Sequence, residues 1–225
     1  MAERTVIAVL GAESTGKTTL CAALARRLGE ETGLRCTWVP EWLREWCARE
    51  GRTPRLDEQA AIARTQHQHI ETAAAAHEVV VCDTTALMTA VYSRSVFGDA
   101  SLDAEALALH DRHVTLTLLT ALDLPWVADG LQRDGAHVRE PVDDLLRGLL
   151  HAQRLPWVLV SGQGEARVDA ALDAVAPLLR GRAAPRAGLF TRLQQRNASP
   201  TGRIWVCDSC DVPECEHASL ANRRR

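Results

Sequence analysis

The chain has 225 residues, 46% of them hydrophobic and 24% charged, with a net charge of −3. These values fit one sizeable α/β domain with a small appendage, and give no bulk electrostatic pull toward nucleic acid or an anionic membrane. No apolar run approaches the roughly 20 residues that a membrane helix needs. The opening MAERTVIAVLG runs straight into a glycine loop and does not read as a signal peptide, so a cytoplasmic protein is expected.

Thr5–Leu10 (TVIAVL) is a short apolar, β-branched run and reads as a buried strand. A glycine loop follows, then a helix with Leu20, Leu24 and Leu28 on one face, stopped by Gly33. Residues 35–39 read as a second strand. Residues 41–50 and 56–77 read as helices, broken by Thr53-Pro54. A third strand covers 78–82 and ends at Asp83. Helical pattern returns over 85–92 and 103–110, and a fourth strand over 114–120. Residues 123–140 are polar. A helix over 142–154, a strand over Trp157–Val160 and a helix over 165–179 complete the alternation. Strand–helix alternation predicts a parallel five-stranded sheet with helices on both faces, a three-layer α/β fold. The expected organisation is a domain over 1–180, a Gly/Ala/Pro/Arg-rich linker over 181–203 and a small tail over 204–225.

Gly11-Ala-Glu-Ser-Thr-Gly-Lys-Thr18 matches the phosphate-loop pattern G-x-x-x-x-G-K-[ST], between a strand and a helix. Lys17 is the only lysine in a chain otherwise supplied with arginine, which points to a slot that a planar guanidinium does not fill. Gly11, Glu13, Ser14, Thr15, Gly16, Lys17, Thr18 and Thr19 are the expected ATP-binding residues. Lys17 reaches the phosphates, and Thr18 offers a hydroxyl to Mg²⁺. Asp83, at the end of an apolar strand, is the second expected Mg²⁺ residue; a cap on the following helix is the other role open to it.

A guanine-specific N-K-x-D element would need a second lysine, which argues against an ordinary GTPase. Glu41 and Arg44, one helical turn apart after the second strand, fall where ligands gather in open α/β sheets. Glu41 or Asp83 is then a candidate to orient or deprotonate an attacking hydroxyl, while a surface ion pair is the plainer role for Glu41 and Arg44. Arg133 and Arg139 in the polar segment are candidate lid arginines that neutralise a transferring phosphoryl group, and Trp126 is a candidate ring contact; a solvated loop is the alternative.

GAESTGKTTL, PEWLRE, VVVCDTTALMTAVYSRSVFG and DLPWVADGLQRDG, in that order, resemble the ribosylnicotinamide kinase domain of NadR-type proteins over residues 4–180. The resemblance implies a nucleoside-kinase-like fold with the phosphate-loop strand central, and ATP-dependent phosphorylation of a ribosyl 5′-hydroxyl, as in NAD salvage. It implies that Lys17 and Thr18 serve nucleotide and metal, that Asp83 contacts metal or ribose, that Glu41 and Arg44 are substrate-side residues, and that Asp129 and Arg133 belong to a lid. NadR-type kinases tend to carry an aromatic residue just before the Glu that follows the second strand. Here that position is Pro40, which leaves Trp42, Trp46 or Trp126 to stack on the base. Adenylyltransferase and repressor roles are not carried over.

Cys207, Cys210, Cys215 and His217 form C-x₂-C-x₄-C-x-H. Three thiolates and an imidazole could close a tetrahedral zinc site; a reduced tail and a redox-active pair are the other readings. A regulatory ATP-binding switch acting through this tail, or a kinase for another nucleoside or a nucleic-acid end, are the alternatives to a nicotinamide riboside kinase. Neither a membrane nor a nucleic-acid partner is expected.

Overall fold

The computed structural model describes residues 4–127 and 135–182. Its strands are β1 (Thr5–Leu10), β2 (Cys36–Val39), β3 (Val79–Asp83), β4 (Leu116–Thr120) and β5 (Trp157–Val160). All pair in parallel, in the order β2-β3-β1-β4-β5, so the phosphate-loop strand is central. β1 and β3 are buried at every position. Their near-continuous apolar composition is what a strand covered on both faces requires.

The helices are α1 (Lys17–Thr32), α2 (Trp42–Glu50), α3 (Gln59–Ala76), α4 (Ala86–Phe97), α5 (Asp103–His113), α6 (Arg139–Ala152) and α7 (Gly164–Val175). α1 and α7 pack together in one layer, and α3, α4, α5 and α6 form the other. Leu20, Leu24 and Leu28 are all buried, and α1 ends on Gly33 in the left-handed region, as expected. Two of the elements whose ends differ from the sequence reading bear on the site. α4 continues five residues past Tyr92 to Phe97, where Gly98 caps it. α6 starts at Arg139, inside the segment read as a polar flap. Of the linker and tail expected over 181–225, residues 183–225 lie outside the described residues.

Parallel register assembles the site. Val9 pairs with Asp83, Val39 with Cys82, and Leu10 with Leu119. The residues leaving these strands, Gly11, Asp83, Pro40-Glu41 and Thr120, therefore emerge side by side at the carboxyl edge of the sheet. That edge is where open α/β sheets bind ligands.

A buried histidine ties the far layer to the sheet. The ring of His110 lies between Thr85 Oγ1 (3.3 Å) and Thr117 Oγ1 (2.8 Å), and burial pushes its pKa from 6.5 down to about 4. An unfolded chain takes up this proton near pH 6.5 and the folded one does not. The associated stability is thus fully present above about pH 6.5 and is lost as pH falls toward about 4. The loss is on the order of 3 kcal/mol. His110→Gln is expected to flatten the slope of unfolding free energy against pH in that window, as read by urea denaturation. An unchanged slope would remove His110 as its cause.

Candidate active site

The phosphate loop is held open by backbone geometry and by two braces. Gly11 has φ +148°, and a Cβ there would lie 2.1 Å from Thr120 Oγ1, so only glycine fits beside β4. Gly16, at φ +75°, caps α1 with no side-chain hydrogen bond, and the first turn of α1 carries no acid. The unpaired N–H groups and the positive end of α1 are thus left for an anion. The first brace is Thr120, whose hydroxyl lies 2.7 Å from Thr15 Oγ1, while Thr15 Oγ1 donates to Ala12 O at 2.9 Å. The second is Arg167 of α7. It is 4% exposed and donates to Thr15 O (3.0 Å), Ala121 O (3.2 Å), Gly162 O and Asp123 Oδ1 (both 2.7 Å).

Lys17 folds back on its own loop, with Nζ donating to Ala12 O at 2.9 Å. Burial lowers its pKa, against the attraction of Glu41 and then Asp83. Thr18 Oγ1 donates to Asp83 Oδ2 at 2.6 Å, and Asp83 is 1% exposed. Its other oxygen, Oδ1, is buried without a hydrogen bond. Burial raises the Asp83 pKa, opposed by the Thr18 hydrogen bond and by Lys17. Asp83 does not cap α4. Thr85 does, its hydroxyl accepting from Leu87 N at 3.3 Å. Thr84, at φ +68°, makes the turn between them, a strained setting for a β-branched residue of the kind that gathers at functional sites. A hydroxyl beside a carboxylate with an unsatisfied buried oxygen is a hard-oxygen donor set that fits Mg²⁺.

Next to the loop opens a cavity of about 580 Å³. Residues 13–19 form one end. Glu41, Leu43, Arg44 and Cys47 form a second wall, residues 53–56 with Gln59 a third, and Tyr92, Val96 and Phe97 of α4 a fourth. Arg44 Nε lies 3.7 Å from Glu41 Oε2. Gln66 of α3 fixes the backbone on both sides of Glu41, its Oε1 accepting from Trp42 N at 2.6 Å and its Nε2 donating to Pro40 O at 3.3 Å. A phosphate-binding loop thus shares one chamber with a carboxylate and an aromatic wall.

The AAA domain family AAA_28 matches residues 6–167 of the chain. The chain belongs to this family of AAA domains. No curated protein matches it. Among solved structures, it is similar to the NadR protein in complex with NR, with a TM-score of 0.65 and 20% identity over 82% of this chain and 53% of that one. A second NadR structure, in complex with NAD and AMP-PNP, matches with a TM-score of 0.59 and 21% identity, over 77% and 49% of the two chains. A deoxyadenosine kinase from M. mycoides, with products dCMP and a flexible dCDP bound, matches with a TM-score of 0.54 and 12% identity, over 77% and 100%. At these identities the likeness is one of fold. The chain spans about half the length of the NadR chains.

The AAA domain brings together most of the residues expected from sequence, but not all. Glu13, Ser14, Thr15, Gly16, Lys17, Thr18, Thr19, Glu41 and Arg44 line the cavity, and Gly11 and Asp83 lie beneath it. Arg139 does not reach it. It is 8% exposed at the start of α6 and donates to Leu124 O at 2.9 Å. The described ends of the 123–140 segment are also anchored: Asp123 by Arg167 and by Gly162 N (2.6 Å), and Val127 N by Ser14 Oγ (2.8 Å). Trp126 is half-buried and lines no part of the cavity. Trp42 packs edge-on against His69, with Arg49 over its ring, and Trp46 is buried under Arg52. The ring contacts of the cavity are instead Tyr92 and Phe97. Their signal was the turn-spaced run from Tyr92 through Val96 and Phe97 up to Gly98. Asp129, Arg133, Cys207, Cys210, Cys215 and His217 lie outside the described residues.

Proposed function

We propose that this AAA domain is an ATP- and Mg²⁺-dependent kinase that phosphorylates the 5′-hydroxyl of a nucleoside, with nicotinamide riboside as the leading acceptor. One observation carries the reading: the phosphate loop, Glu41 and the Tyr92–Phe97 wall share a single chamber. A motor or switch has no need of an apolar, aromatic pocket beside the transferable phosphate, whereas a small-molecule acceptor does. The NR complex among the similar folds supports the choice of acceptor. So does electrostatics, because a cationic pyridinium ring is drawn to aromatic faces.

The N–H groups of the loop and Lys17 hold the phosphates, and Thr18 and Asp83 would hold Mg²⁺, which supplies charge neutralisation at the phosphate oxygens. Glu41 lines the cavity and is better placed than the buried Asp83 to orient the acceptor hydroxyl and take its proton. Arg44 holds the Glu41 carboxylate from the solvent side.

The test is ATP turnover by the full chain with nicotinamide riboside, uridine, adenosine or no acceptor, with products separated by chromatography. Turnover that depends on nicotinamide riboside and yields its 5′-phosphate is expected. Hydrolysis unaffected by any nucleoside, with no phosphorylated product, would overturn the kinase reading in favour of a regulatory ATPase. Phosphorylation of another nucleoside would overturn only the acceptor.

A further inference from the structure

α3 and α5 meet on the side of the sheet away from α1. The approach is lined by Ala60, Ala63 and Arg64 on α3 and by Glu105, Ala106 and Leu109 on α5. Farther along, at the middle of α3 and the end of α5, two histidines meet. His67 and His113 pack edge to face, with ring centroids 4.7 Å apart and planes at 71°. One turn beyond His67, Glu71 brings Oε1 to 3.7 Å from His67 Nε2. That separation is too long for a hydrogen bond. One donor atom from each of the three residues lies within 4.8 Å of the other two. The His67 side chain is 13% exposed and that of Glu71 53%, so the cluster has a shielded floor and an open rim.

We infer that His67, Glu71 and His113 form a binding site for a divalent first-row transition metal, zinc in particular, that staples α3 to α5. Two imidazoles and a carboxylate are the donor types such ions select, whereas Mg²⁺ and Ca²⁺ take all-oxygen sets. Around a tetrahedral ion with bonds of about 2.1 Å, donors stand roughly 3.4 Å apart. Closing from within 4.8 Å takes only small side-chain rotations, and Glu71, the most exposed of the three, has the freedom to make them. The spacing also gives the right faces: residues 67 and 71 are neighbours one turn apart on α3, and His113 arrives from a second helix. Three protein donors leave one position for water. The staple also bears on the chamber, because Gln66, next to His67, is the residue that grips the backbone on either side of Glu41. The site is independent of the kinase reading.

The full chain, freed of metal, is titrated with cobalt(II) and then zinc(II), beside H67A/H113A, E71Q and C207S/C210S/C215S variants. Cobalt coordinated by nitrogen and oxygen shows visible d–d bands without the near-ultraviolet charge-transfer band of thiolate ligation, so this site and any bound metal at the cysteines are told apart by spectrum. The expected result is a nitrogen/oxygen-type cobalt signal that persists in the triple-serine variant, weakens about tenfold or more in E71Q and disappears in H67A/H113A. Zinc should raise the melting temperature of the triple-serine variant and not that of the same chain carrying H67A/H113A. Circular dichroism and ATP binding establish that the double variant is folded. Cobalt uptake equal with and without the two histidines, or no uptake by the triple-serine chain, would overturn the inference.

Discussion

Replacing Lys17 by arginine is expected to lower kcat by roughly 10²–10³, nearly as far as replacement by methionine. The charge would be kept and the function lost. Lys17 Nζ sits 2.9 Å from Ala12 O inside a tightly packed loop. Gly11 abuts Thr120, and Leu124 Cδ1 already lies 3.0 Å from where a Cβ on Gly16 would be. A compact ammonium on a four-carbon stem can swing from that carbonyl to a phosphate, whereas a planar, five-donor guanidinium needs more room. The loss should not reflect unfolding. Burial lowers the Lys17 pKa, so its charged form costs stability in the empty loop. Lys17→Met is therefore expected to melt no lower than the parent chain at neutral pH. ATP affinity by calorimetry, turnover and thermal unfolding check the three parts. An arginine variant within about threefold of the parent kcat would sink the account of why the only lysine stands here.

What could be read from the sequence was what local chemistry dictates. Strands buried on both faces announce themselves as unbroken apolar runs, and VVVCD led directly to a buried aspartate at a strand end, beside the phosphate loop. The loop was legible because its glycines, lysine and threonine are demanded by backbone and charge together. The Tyr92–Phe97 wall of the cavity was not. Ser93-Arg94-Ser95 interrupts the apolar pattern and makes the helix seem to end at Tyr92. In the fold, Arg94 pairs with Asp103 at 2.8 Å and Ser93 approaches Asp99, so the polar residues are spent locally and the helix carries Val96 and Phe97 into the cavity. Arg167 and Arg139 were illegible for a related reason. Each is defined by backbone carbonyls from distant segments, Thr15, Ala121 and Gly162 for the first and Leu124 for the second, and carbonyls leave no mark in a sequence. An arginine in a polar stretch reads as mobile until the carbonyls that hold it are located.

Two carboxylates compete for the role of base, and their variants should fail in different ways. Glu41→Gln is expected to lower kcat for nucleoside phosphorylation by about 10²–10⁴, the span a general base contributes, with ATP affinity changed less than about threefold. Glu41 lines the chamber, on backbone that Gln66 fixes from both sides, whereas Asp83 accepts from the Thr18 hydroxyl at the head of α1. Asp83→Asn is expected to damage the nucleotide side: weaker Mg²⁺-dependent ATP binding, a kcat partly restored by raising Mg²⁺, and loss of any acceptor-independent hydrolysis as well. Stability should move the other way. Burial raises the Asp83 pKa, so whatever stability its protonation confers is present at low pH and lost as pH rises through the folded pKa. At neutral pH the ionised group is a burden on the empty fold, and Asp83→Asn is expected to melt at or above the parent temperature. Lys17 and Asp83 thus share one property: burial shifts each toward its neutral form, a shift that an arriving phosphate and metal would oppose. If Asp83→Asn instead spares ATP binding and abolishes transfer while Glu41→Gln remains active, the base is Asp83 and the acceptor hydroxyl lies deeper in the site than Glu41 can reach.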